Sequence, residues 1–201
     1  MRHPFRVVVV TGIPGVGKTT VLTLLEEEAR KRNVNLMIAN YGTYMVNTAI
    51  KIGLVDDRDQ LRKLPLRNQL ELQVKAAESI ISDASERLDE RGYLIIDTHS
   101  VVKTVIGYWP GLPNHVLDVF KPDLIVLIEA QPEVIWERQR RDTTRKRNFG
   151  GVEDIKELIW FARSSAMASA VRYASAVAIV ENPEGNPDKA VEDILRLMNK
   201  I

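Results

Sequence analysis

The chain of 201 residues has no cysteine. Disulfides, thiolate catalysis and cysteine-built zinc sites are therefore excluded. Its three histidines are scattered and show no metal-ligand spacing. Charge of one sign is also missing: 28 Lys and Arg stand against 27 acidic residues, a net +1. The overall balance gives no reason to expect a nucleic acid or a membrane surface as partner. Long apolar runs are absent too. Stretches such as "LIVLIEA" fall far below the roughly 18–20 residues of a membrane span, and Arg6 interrupts the N-terminal apolar stretch, so the expected location is the cytoplasm. Neither internal repeats nor low-complexity tracts occur. What remains, 45% hydrophobic and 27% charged, is ordinary for a globular chain whose length suits one domain, 1–201.

Against that plain background one motif stands out, Gly12-Ile13-Pro14-Gly15-Val16-Gly17-Lys18-Thr19, flanked by Thr11 and Thr20. It fits the pattern G-x-x-x-x-G-K-[ST]. Val7 to Val10 before it read as a buried strand, and "TTVLTLLEEEARKR" after it carries the apolar spacing of an amphipathic helix. Strand, glycine loop and helix are the context this pattern requires. Gly12, Gly15 and Gly17 let the backbone turn its N–H groups inward, where side chains would block an approaching phosphate. Lys18 offers a point charge to β- and γ-phosphates, Thr19 a hydroxyl to Mg²⁺, and the helix its positive end. The expectation is nucleotide binding, with any metal arriving on the nucleotide. No N-K-x-D guanine-reading motif is present, which disfavours a regulatory GTPase.

Four more segments read as buried strands, at 34–40, 93–97, 123–130 and 175–181, with helical stretches between them. The alternation predicts an α/β fold: a five-stranded parallel sheet with helices on both faces. Helices are expected near 18–32, 43–53, 57–64, 66–91, 113–120, 131–143, 152–174 and 187–200. Two excursions interrupt this core, at about 41–75 and about 143–150. In such sheets ligands sit beyond the carboxyl ends of the strands, which focuses attention on the residues after each one.

Asp97 ends "YLIID", the position from which a carboxylate holds Mg²⁺ directly or through its waters. His99 and Lys103 follow in "DTHSVVKT", within reach of a phosphate or simply polar loop residues. The densest charge lies in "ERQRRDTTRKR", 137–147, ended by Phe149, Gly150 and Gly151. Guanidinium forks closing over a moving phosphoryl group stabilise its charge and expel water, so 137–150 is read as a lid. Arg141, Arg145 and Arg147 are the phosphate-facing candidates. Arg138, a turn earlier, is placed to stack on a base. A solvated helix face is the plain alternative for this run.

The first excursion is read as the acceptor site. Tyr41, Gly42 and Thr43 form a strand-to-helix turn, where Thr43 is a candidate cap. Arg62 is the stronger choice for an acceptor phosphate. Gln69 and Gln73, four apart on one helix face, could read a base edge. After the last strand, "ENPEGNPDKA" makes a turn able to offer backbone groups to an adenine edge.

With these pieces in place the chain resembles the archaeal-type adenylate kinases nearly end to end. The stretches that carry the likeness are "VVVTGIPGVGKTT", "NYGTYM" with "DDRDQLRKL", "DTHSVVKTVIGYWPGLP" and "RQRRDTTRKR". The third, with Asp97-Thr98-His99, Lys103-Thr104 and Gly111-Leu112-Pro113, is far more restricted than the phosphate loop. The resemblance implies the P-loop NTPase fold and a reversible, Mg²⁺-dependent transfer from ATP to AMP giving two ADP. It further implies a homotrimer, ATP at the P-loop 11–19, the metal at Asp97, AMP at Arg62, and Arg138, Arg141, Arg145 and Arg147 in the lid. The reading of the residues themselves adds Thr20 to the ATP site, Thr19 to the metal, and Tyr41, Gly42, Thr43, Gln69, Gln73, His99 and Lys103 to the AMP site. Two departures are visible. The arginine that bacterial-type members carry after their S-T-G turn is replaced by "TYMVN" after Gly42, leaving Arg62 to serve. Trp109 stands where leucine is frequent, either at the acceptor site or at a subunit contact. Rival readings are a kinase for another nucleoside monophosphate or small metabolite, and a nucleotide-gated protein whose "RQRRDTTRKR" touches RNA.

Overall fold

The computed structural model describes residues 2–61, 64–104, 107–141 and 151–201. The elements, in chain order, are β1 (Arg6–Thr11), α1 (Lys18–Lys31), β2 (Leu36–Asn40), α2 (Tyr41–Lys51), α3 (Arg58–Leu61), α4 (Leu66–Arg87) and β3 (Tyr93–Asp97). There follow β4 (Val101–Thr104), β5 (Gly107–Pro110), α5 (Asn114–Phe120), β6 (Leu124–Glu129), α6 (Pro132–Arg141), α7 (Val152–Val171), β7 (Ala176–Glu181) and α8 (Pro187–Met198).

Five strands pair in the order β2-β3-β1-β6-β7, every pairing parallel. Central position explains the sequence of β1: with both faces covered, Val7 to Val10 are fully buried, and the strand reads as a continuous apolar run instead of alternating. From β1 the chain crosses to β2 in one direction, and from β3 to β6 to β7 in the other. Right-handed crossovers in opposite directions put their helices on opposite faces. Accordingly α1 packs with α8, while α4 packs with α5, and α7 with β6. The expected five-stranded α/β sheet is observed, and its strand bounds agree within two residues.

The excursion at 41–75 holds α2, α3 and the start of α4. It has a small apolar cluster of its own, Ala49, Val55 and Leu72, apart from the main core. A difference from expectation follows β3. There the chain folds back as an antiparallel hairpin, β4 on β5, where the sequence reads as loop. Gly111 explains how it closes: its N–H donates to Ser100 O at 2.9 Å, and a side chain there would lie 1.8 Å from the His99 carbonyl.

Candidate active site

The loop between β1 and α1 is anchored by Ile13 and Val16, both buried. Val16 N–H turns back to Ile13 O at 3.3 Å. Gly15 and Gly17 take φ of 92° and 88°, left-handed values open to glycine. Gly17 caps α1 with no side-chain acceptor, so the first amides of the helix stay open to an anion. At Gly12 the need for glycine differs from the expected one. A Cβ there would meet the Ile128 carbonyl at 2.7 Å and Val16 Cγ1 at 2.9 Å, so β6 excludes a side chain whether or not phosphate is near.

Three carbonyls of the loop are held by side chains from elsewhere. His99 Nδ1 lies 2.9 Å from Gly12 O and donates to it. Gln139 Nε2 donates to Pro14 O at 2.6 Å. Val16 O accepts from Asn182 Nδ2 at 2.8 Å and from Arg138 Nη1 at 3.0 Å. Thr11 is also structural, fully buried, its Oγ1 accepting from Ser100 N–H at 2.6 Å.

Lys18 and Asp97 meet in a direct ion pair, and the other oxygen of Asp97 accepts from Asn40 Nδ2 at 2.6 Å. Both charged side chains are about nine-tenths buried. Burial holds the Lys18 ammonium down to about 8 from 10.5. Asn40 escapes a reading that looks for charge. Its signal is register: Asn40 ends β2 opposite Asp97 at the end of β3.

One cleft of about 870 Å³ runs from this loop to the excursion. Ile13 to Thr19, Asp97, His99 and Arg138 line it, as do Tyr41, Gly42, Gln69 and Gln73 of the excursion and Trp109 of the hairpin. Trp109 therefore sits on the cleft wall. Tyr41 is buried edge-on against Phe120, its hydroxyl donating to Gln73 O at 2.8 Å, and burial raises its pKa. Gln69 Nε2 donates to Leu64 O at 2.7 Å, and Gln73 Oε1 accepts from His115 Nε2 at 2.9 Å. Among the described residues Gln69 Oε1 and Gln73 Nε2 keep no partner, which leaves an acceptor and a donor side by side.

Other expected residues lie elsewhere. Thr43 is not the cap of α2. That role belongs to Asn40, whose Oδ1 accepts from Thr43 N–H at 2.9 Å. Lys103 sits on β4 between the cleft-lining Val102 and Thr104, and strand alternation turns it outward, to Asp154 at 3.3 Å. Thr20 is exposed on α1. Arg138 uses its edge on Val16 O, on Asn182 O and on Glu184, while Arg141 is exposed near Glu184. Arg62, Arg145 and Arg147 lie outside the described residues.

A parallel α/β sheet with an uncapped glycine loop, a lysine and a strand-end aspartate at one cleft defines a P-loop nucleotide-binding domain of the kinase type. A family model described as an AAA domain matches residues 11–156. Two solved structures share the fold: an unliganded sugar kinase from Janibacter (TM-score 0.51, 19% identity, 98% of this chain and 95% of that one) and a shikimate kinase from Bacteroides thetaiotaomicron (0.52, 17%, 96% and 98%). Sequence likeness is much closer to archaeal proteins named adenylate kinase. That of Saccharolobus islandicus is 50% identical over 93% of this chain and 96% of its own. Those of Sulfurisphaera tokodaii and Methanocaldococcus jannaschii are 49% and 42% identical, covering 94% and 96% of this chain and 97% and 98% of theirs. The chain belongs to the adenylate kinase family.

Proposed function

We propose that the chain catalyses reversible, Mg²⁺-dependent transfer of the γ-phosphoryl group of ATP to AMP, giving two ADP. The observation that carries this reading is the single cleft joining a phosphate loop to a pair of base-reading carboxamides. In the forward direction an ionised phosphate oxygen of AMP forms the new P–O bond as the bond from the γ-phosphorus to the β–γ bridging oxygen breaks. The leaving ADP takes the electron pair. No side-chain nucleophile is needed, and the protein's task is alignment, charge neutralisation and exclusion of water.

In this reading loop 12–17 and Lys18 hold the β- and γ-phosphates. The Thr19 hydroxyl and Asp97 suit Mg²⁺, which keeps several waters and asks for few protein ligands; Asp97 retains lone pairs beyond those used by Lys18 and Asn40. The metal would neutralise phosphate charge. Arg138 and Arg141, with Arg145 and Arg147, serve the lid. On the excursion, Gln69 Oε1 and Gln73 Nε2 match the amino group and N1 of adenine. Guanine presents the reverse pattern. Arg62 takes the AMP phosphate.

Among the described residues no helix is long and apolar enough to cross a membrane, and we place the enzyme in the cytoplasm. The expected homotrimer has a candidate surface in Trp160, Met167 and Val171 of α7 with Ile179 of β7, all exposed and apolar. Light scattering reads it directly: a monomer mass rejects the trimer.

Incubation with Mg-ATP and each nucleoside monophosphate, with Lys18→Ala alongside, tests the activity. Stoichiometric ADP from ATP plus AMP, lost in the variant, is expected. Preference for another acceptor, or hydrolysis indifferent to every acceptor, overturns the reading.

A further inference from the structure

The carbonyls held around the phosphate loop belong to alternate peptide units, 12–13, 14–15 and 16–17. In a trans peptide the C=O and N–H point in opposite directions, and the described residues contain no cis bond. A group that fixes the carbonyl therefore fixes the amide of the following residue, facing the other way. His99 on Gly12 O aims Ile13 N–H; Gln139 on Pro14 O aims Gly15 N–H; Asn182 and Arg138 on Val16 O aim Gly17 N–H. Ile13, Gly15 and Gly17 all line the cleft.

We propose that Gln139 and Asn182 are positioning residues that hold two peptide planes of the phosphate loop in their anion-binding orientation before any nucleotide arrives. Two observations set them apart from ordinary core residues. They are among the few buried polar side chains, 8% and 3% exposed. Among the described residues each also leaves its second polar atom, Gln139 Oε1 and Asn182 Oδ1, buried without a partner. An unpaired buried acceptor is unfavourable, and an apolar side chain of the same shape would avoid it. What such a side chain lacks is the N–H that holds the loop carbonyl. Glycine makes the arrangement necessary as well as possible. Gly15 and Gly17 impose no preference on their own backbone, so without external partners their planes rotate. The fit at Gly17 is close: a Cβ there would lie 2.5 Å from Asn182 Nδ2. Gln139 and Arg138 are neighbours on α6, the helix that enters the proposed lid, so lid and phosphate loop share a support.

The proposal concerns phosphate binding and is tested without reference to the acceptor. Inorganic tripolyphosphate, which has no base, is titrated calorimetrically into the wild type, Gln139→Met and Asn182→Leu, with thermal melts and amide NMR spectra of the ligand-free proteins. Expected are a 10- to 100-fold loss of tripolyphosphate affinity, on the scale of a hydrogen bond to a charged group, exchange broadening of the Gly15 and Gly17 amides, and an unchanged or raised Tm. In turnover, KM for ATP rises and KM for AMP holds. If either variant does not fold, Gln139→Ala or Asn182→Ala, uncharged and without the donor, replaces it. Unchanged tripolyphosphate affinity in a folded variant overturns the proposal, as does a loss that merely tracks Tm. A wild type that binds tripolyphosphate but makes no ADP defeats the kinase reading and leaves this one standing.

Discussion

Replacing Lys18 and Asp97 together by neutral shapes, Lys18→Met with Asp97→Asn, should stabilise the ligand-free protein while abolishing transfer. The two side chains are 11% and 12% exposed and touch directly. Burial holds the ammonium down to about 8 from 10.5. A tenfold change in proton affinity is worth about 1.4 kcal/mol, so carrying the charge at pH 7 disfavours folding by up to about 3–4 kcal/mol. The neutral pair forfeits a charge-assisted hydrogen bond, and the site retains some solvent contact. A net gain of about 1–2 kcal/mol is expected, or about 2–8 °C in Tm for a chain of this size. The pH dependence has a definite sign. Below pH 8 both folded and unfolded states carry the proton and the penalty is full. Between pH 8 and 10.5 the unfolded chain binds more protons, so wild-type stability rises with pH relative to the double variant. Thermal melts from pH 7 to 10.5 read both effects. A double variant less stable than wild type at pH 7, or a gap that does not narrow at high pH, refutes the reasoning.

Other expectations follow from the same site. Phosphate beside Lys18 restores its proton, so calorimetry of ATP binding at pH 8.5, in buffers of different ionisation enthalpy, should report net proton uptake that Lys18→Met lacks. Gly12→Ala drives a Cβ to 2.7 Å from the Ile128 carbonyl and should destabilise by about 1–3 kcal/mol; an unchanged melting curve counts against this close approach. His115→Phe releases the Gln73 carboxamide to turn over. The preference for AMP over IMP should then fall by about tenfold, and undiminished discrimination removes Gln73 from base recognition.

Much of this architecture is legible in the residues because burial writes periodicity. Both faces of β1, β3 and β6 are covered, so each is a solid apolar run, and the glycine loop announces itself by pattern. The hairpin β4–β5 is not legible: its four-residue strands have exposed faces, and Val101 to Thr104 also reads as a polar loop carrying a lysine. Alternation along β4, once known, explains why Lys103 leaves the cleft. Gln139 hides among arginines, where a charge-based reading sees only a lid. Asn182 follows β7 in a turn that looks like any connection. Both act through the backbone of a distant loop, and no local pattern encodes which carbonyl a carboxamide will meet. The Asn40 cap shows the same limit at short range, since Asn40 and Thr43 are both plausible caps until the first helical residue is fixed.

The hairpin following β3 bears on how such an enzyme could change its acceptor. Between Asp97 and Gly111 the chain carries the proposed metal carboxylate, a support of the phosphate loop and, in Trp109, a wall of the cleft. Its length is pinned at the base, where Ser100 is tied to Thr11 and Gly111 to Ser100. Exchanges at Val102 and Trp109 alter the cleft wall without touching these ties, whereas Thr104 also closes the hairpin turn on Gly107 O. New acceptor preferences should therefore arise by replacing Val102 and Trp109, with the ties at Ser100 and Gly111 kept.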